Sequence, residues 1–230
     1  MTLWILIIGT MALSLLAAAR VKSVYHRYNQ GRVRSGVTGG EAAALILRHA
    51  GIRDVEIAVQ DQMLGDHYDP LHKRLVLSAE NYHNSTPAAL GVAAHEAGHA
   101  IQHARAYAPL HLRMAAVGIT TYANQVVVWL PLLGMITGFI QPMVALWILA
   151  LAWGVIMLFN LVTLPVEFDA SRRAKQVLAG LGLIAPGAEA VGVSRVLSAA
   201  AWTYVAAFVT SLGYFLYHLL PLLQGRDERE

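Results

Sequence analysis

The chain has 230 residues, 57% of them hydrophobic and 13% charged, about half the charged share of an average soluble domain, which points to membrane insertion. Its formal charge of +3 comes from basic residues that cluster beside apolar runs rather than among aromatics, so nucleic acid is not an expected partner. Cysteine is absent, which excludes disulfides, thiol nucleophiles and cysteine-held metals and leaves His, Asp and Glu for any metal site.

Residues 3–19, LWILIIGTMALSLLAAA, carry no charge and as a helix would extend about 26 Å, enough to cross a hydrocarbon core. A first transmembrane helix is expected over 1–20. A cleaved signal peptide would place its positive charge before the apolar run, whereas here it follows. Arg20, Lys22, Arg27, Arg32 and Arg34 come next and assign that side to the cytoplasm, with the N-terminus outside.

A small soluble unit is expected over 21–110. Thr38 and Glu41 stand at capping-box spacing before AAALILRHAG, where Gly51 supplies a stop. DVEIAV alternates as a strand, and GDHYDP reads as a turn into KRLVLS, residues 73–78, a second strand and the candidate sheet edge. Asp66, His67, Tyr68 and Asp69 in that turn are candidate transition-state donors, although Asp69-Pro70 is also a favoured turn dipeptide. Thr86 is a candidate N-cap with Pro87 at the first helical position, which predicts a helix over 87–105.

From Arg113 to Glu167 no formal charge occurs over 53 positions, room for two spans and a tight turn at GFIQPM. A transmembrane hairpin is expected over 111–166, with Gly134 and Gly138 at GxxxG spacing for a helix contact. A cytoplasmic segment, 167–195, follows with Arg172, Arg173 and Lys175; its part from 176 reads as a short amphipathic or re-entrant connection. Residues 196–222 are the expected fourth span and 223–230 an outer tail.

The chemistry sits in VAAHEAGHAIQH, residues 92–103. Positions four apart on a helix lie about 40° apart around the axis, so His95 and His99 can converge on one ion. Two neutral imidazoles suit Zn²⁺, and Glu96 between them is placed to act as general base on a zinc-activated water. His103 lies about 12 Å along the helix from His95, too far to share that ion. Gln102 and His103 stay on the metal-facing side as candidates to orient a ligand or touch substrate. The third ligand must come from downstream: Glu167 is favoured over Asp169 and Glu189 because it leaves a span just before a basic cluster. Arg172 and Arg173 are candidate oxyanion partners that topology alone also explains.

YDPLHKRLVLS, ALGVAAHEAGHAIQHA, LPVEFDASRRA and LSAAAWTYVAA together resemble the YugP family of bacterial zinc-dependent membrane metallopeptidases. The resemblance implies a neutral zinc metallopeptidase of the plasma membrane with His95 and His99 as ligands and Glu96 as base. The motifs are also similar to the M48-type gluzincin membrane proteases, with HExxH followed by ExxxD. There the glutamate is the third ligand, matched by Glu167, and the aspartate orients an imidazole. That aspartate position holds Ser171 here, with Asp169 two residues earlier, and either remains a candidate to hold an imidazole.

The expectation is therefore a membrane α+β chain of about four transmembrane helices, with a small zincin-like cytoplasmic domain made of the active-site helix and a short sheet. It would be a zinc endopeptidase of the bacterial inner membrane, acting on a peptide or membrane-protein substrate held along a strand edge, with the bilayer and a regulatory membrane protein as further partners. A zinc-stabilised scaffold and a hydrolase of lipid or small amide are the competing classes.

Overall fold

The computed structural model describes residues 2–61, 65–138 and 140–227. Helices and strands run in the order α1 (Thr2–Tyr28), α2 (Gly39–His49), β1 (Glu56–Gln60), β2 (His67–Asp69), β3 (Arg74–Ser78), α3 (Ala79–His83), α4 (Pro87–Ala104), α5 (Ala108–Thr137), α6 (Pro142–Gly180) and α7 (Ala188–Asp227). Among the described residues four helices, α1, α5, α6 and α7, are long and apolar enough to cross a membrane. The chain divides into two units, one of residues 17–111 with 165–202, the other of 1–16, 112–164 and 203–230.

The first unit is built from short, well-capped elements. Thr38 caps α2, accepting from the Glu41 backbone while Glu41 reaches back to the Thr38 N–H at 2.9 Å. Gly51, at φ +76°, lets the chain turn after the helix. Thr86 caps α4 by accepting from the Ala89 N–H at 3.1 Å, and Pro87 fills the first position where no N–H is needed. The sheet has three strands in the order β1-β3-β2, with β1 parallel to β3 and β2 antiparallel to it.

The strand KRLVLS is thus central rather than an edge. Its Leu75 and Leu77 are fully buried, a burial that pairing on both sides provides, and order within a sheet has no local sequence signal. The residues read as a turn, His67, Tyr68 and Asp69, are the short edge strand that covers it. Leu75 and Leu77 join Ile46, Leu90, Leu178 and Val193 in one apolar core.

The segment from 176 is not a separate or re-entrant connection. Helix α6 continues to Gly180, and the turn to α7 uses Gly182 and Gly187 at φ +66° and +95°. Leu178, Leu183 and Ile184 are held in the core, so their apolar character serves packing within this unit.

In the second unit α5 ends at Thr137 and α6 begins at Pro142. Gly138 stops α5 in the left-handed conformation, φ +66°, with its N–H on the Gly134 carbonyl at 3.0 Å. The GxxxG spacing therefore reports a helix terminus, not a helix-packing face. Trp153 stacks on Tyr214 with ring centroids 4.5 Å apart. Asn160 donates to the Ala207 carbonyl and to Ser211 Oγ, at 3.2 and 3.0 Å, which satisfies an amide in apolar surroundings.

Candidate metal centre

Helix α4 carries the histidine motif at the middle of the first unit, with 13 of its 18 residues buried. His95 and His99 meet edge to face one turn apart, ring centroids 4.7 Å apart. Helix α6 brings Glu167 to them: its Oε2 lies 3.1 Å from His95 Nε2 and 3.6 Å from His99 Nε2. Among the described residues these three form the group able to hold an ion, their ligand atoms all within 4.8 Å of one another. Glu167 is 2% exposed, an unusual place for a carboxylate unless a partner answers its charge.

The approach of the two helices depends on Gly98 and Ala170. A β-carbon on Gly98 would lie 2.8 Å from the Ala170 carbonyl oxygen, so the residue before the second histidine of HEAGH must be the one without a side chain. Sequence reasoning missed this role; its only trace was a glycine and an alanine in two motifs far apart in the chain.

Each imidazole is gripped from behind. Ser171 Oγ lies 3.2 Å from His95 Nδ1, and the Gln102 side-chain oxygen lies 3.0 Å from His99 Nδ1. Gln102, completely buried, donates its amide to the Val166 carbonyl at 2.8 Å and to Asp169 Oδ2 at 3.0 Å. Asp169 also accepts from Arg172 and Arg173, and the Arg173 guanidinium sits over the Tyr107 ring. Both arginines thus serve Asp169, and neither is an evident oxyanion partner.

Burial opposes a charge on His99, but its hydrogen bond to Glu167 and the charges of Glu96 and Glu167 outweigh burial and raise its pKa. Two acidic side chains, Glu96 and Glu167, thus set the charge of the pocket. Glu96 is 8% exposed and has no hydrogen-bond partner among the described residues. Two imidazole nitrogens and one carboxylate oxygen fit the ligand set of a catalytic zinc, three protein donors with a position left open.

The other candidates fall outside the cluster. His103 Nδ1 lies 2.9 Å from the Tyr68 hydroxyl, and its ring tilts against His111. Burial, followed by the charges of Asp54 and Asp69, pushes the Tyr68 phenol up to about 12, so it stays protonated beside His103. His67 is exposed and within 2.7 Å of the Gly65 carbonyl. Asp66 accepts from the Ser78 backbone and from Asn81, holding the end of β3 to α3. Glu189 accepts from the Arg34 and Ala185 N–H groups and acts as a brace at the start of α7.

A buried His, His, Glu cluster in a chain with four apolar helices defines a membrane-associated protein with a candidate metal centre. The family described as "Putative neutral zinc metallopeptidase" matches residues 3–223, and the chain belongs to that family. It is 41% identical over 223 residues, 97% of each chain, to the "Putative membrane protease YugP" of Bacillus subtilis strain 168. No solved structure matches the chain.

Proposed function

We propose that the chain is an integral-membrane zinc endopeptidase, gluzincin-like in its HExxH motif, that hydrolyses peptide bonds at the cytoplasmic face of the bacterial inner membrane. The convergence of His95 Nε2, His99 Nε2 and Glu167 Oε2 within 4.8 Å carries this reading. Zn²⁺ held there would polarise a scissile carbonyl and acidify a water molecule. Glu96 takes a proton from water and returns it to the leaving amine. Its carboxylate makes no hydrogen bond to the described residues, which leaves it available for that role. His95 and His99, with Ser171 and Gln102 behind them, would hold the ion together with the enclosed Glu167, whose carboxylate would balance part of its charge.

The substrate is an extended peptide or a membrane-protein segment. Strand β2 is the edge that packs on α4, its Tyr68 meeting His103 one turn beyond His99, and it takes the place that KRLVLS cannot. Topology supports the cytoplasmic face: of 17 Lys and Arg, only Arg113, Arg226 and Arg229 fall outside the unit that holds the site.

The test is to purify wild type and Glu96→Gln in detergent, measure bound zinc, and incubate both with unfolded and membrane-protein substrates. Zinc in both with cleavage by wild type alone is expected. Equal cleavage by both would remove Glu96 from the mechanism, and zinc in neither would remove the centre.

A further inference from the structure

Within the second unit the four membrane-length helices frame a cavity of about 570 Å³, in the size range of small-molecule sites. It begins where α1 and α6 start and α5 stops, between Leu3, Gly134 and Pro142. Along α6 it continues through Leu149 to Trp153. The helical rise from Pro142 to Trp153 is about 16 Å, against about 15 Å for half of a hydrocarbon core. The cavity is therefore one leaflet deep, and its far wall is the stacked pair of Trp153 and Tyr214.

Two prolines disturb its sides. Pro131 in α5 and Pro221 in α7 have no N–H for the carbonyls of Val127 and Tyr217, four residues before them, and their rings push against those carbonyls. Val127 and Tyr217 both line the cavity, so each helix is bent away from regular geometry where the space lies.

The lining suits hydrocarbon. Among the described residues no acid, lysine or arginine lines it. His218 directs its Nδ1 proton to the Tyr214 carbonyl of its own helix at 2.7 Å. A phosphate or a carboxylate finds no ion-pair partner there. A transmembrane helix is too large an occupant, being about 10–12 Å wide with its side chains and crossing both leaflets.

We propose that this cavity holds one acyl chain of a bilayer phospholipid, taken from the leaflet in which α1 and α6 begin, with the headgroup outside it. The proposal needs only that these helices cross a membrane; it depends neither on zinc nor on the substrate.

The test uses the full chain reconstituted in lipid, with Trp153 kept and the other tryptophans changed to Phe. A phospholipid brominated midway along one chain quenches a tryptophan that it touches. Quenching of Trp153 should persist after transfer into unlabelled lipid, when it is already lost from a chain that keeps only Trp147, which is 51% exposed on the same helix and reports passing lipid. Gly134→Leu is the filling variant. A β-carbon there would lie 3.8 Å from Ile140 Cδ1, an ordinary contact, so the side chain can occupy the cavity without moving a helix. It should abolish the persistent quenching and leave the melting temperature at or above that of wild type.

No quenching at Trp153, loss as fast as at Trp147, or persistence unchanged in Gly134→Leu overturns the proposal. Stronger and more persistent quenching by a brominated free fatty acid than by the phospholipid overturns the choice of ligand. If the tryptophan changes prevent folding, native mass spectrometry of wild type and Gly134→Leu released from the same lipid decides: one phospholipid retained by wild type and none by the variant is expected, and equal retention overturns the site. Failure of the zinc reading would appear elsewhere, as a wild type that binds no metal whatever lipid it retains.

Discussion

Gly98 and Ala170 meet backbone to backbone: a β-carbon at position 98 would lie 2.8 Å from the Ala170 carbonyl oxygen and 3.3 Å from its α-carbon. The neighbour is main chain of α6, three residues past Glu167, and cannot rotate away. Gly98→Ala must push the helices apart, at a cost of about 1–3 kcal/mol, and draw Glu167 back from the histidines. Zinc bound per chain should fall sharply, with a lower melting temperature. Gly91→Ala is the control, since its β-carbon would sit 3.5 Å from Val193 Cγ1, an ordinary contact, and it should keep its zinc.

Glu167→Gln should lower zinc affinity on the order of a hundredfold or more, because even partners behind a ligand are worth ten- to hundredfold. Glu189→Gln should leave affinity unchanged. Its carboxylate receives the Arg34 and Ala185 N–H groups at 2.9 and 2.7 Å, so its loss should appear as about 1 kcal/mol of stability. Chelator competition and thermal melts on both variants separate ligand from brace.

Burial, then the positive charges of His111 and Lys73, depress the His103 pKa, against a smaller opposing pull from Asp54; Tyr68 faces the ring as a neutral hydroxyl. A depressed histidine binds fewer protons folded than unfolded. Its contribution is therefore present above about 6.5, the ordinary value, and is lost as pH falls below it. Replacing His103 by Gln should shrink the drop in melting temperature between pH 7.5 and pH 5.5. An unchanged drop would show that the ring is not desolvated as described.

Thr86→Ala removes both the N-cap of α4 and a hydroxyl that donates to Asn29 at 2.8 Å. A loss of roughly 1–2 kcal/mol is expected, read by thermal or denaturant unfolding in detergent. The zinc affinity of the folded fraction should stay within a fewfold of wild type, since the cap lies at the opposite end of α4 from Gln102.

The histidine helix was legible because its signals are local: a threonine cap, a proline at the first position, and histidines spaced by one turn. Glu167 was legible through its place between an apolar run and a basic cluster. Which of Ser171 and Asp169 stands behind an imidazole was not, because that depends on how α4 crosses α6. Both do, for different rings, Asp169 through Gln102. The position of KRLVLS within its sheet was likewise hidden, since alternation says that a strand is half buried but not how many neighbours it has. A glycine before an apolar turn and a glycine inside a packing face look the same in one dimension, which is why Gly138 misled.

The buried face of α4 is made largely of methyl groups, with Ala88, Ala89, Ala93, Ala94, Ala97 and Ala100 all at 0–1% exposure. Such a surface has almost no rotamers to rearrange. Where a leucine-lined helix could absorb a shift of its neighbour by repacking, this one transmits the shift to the neighbour's backbone. The spacing between the histidines and Glu167 is then a matter of main-chain contact, and tolerance to drift along this face should be measured in single methyl groups.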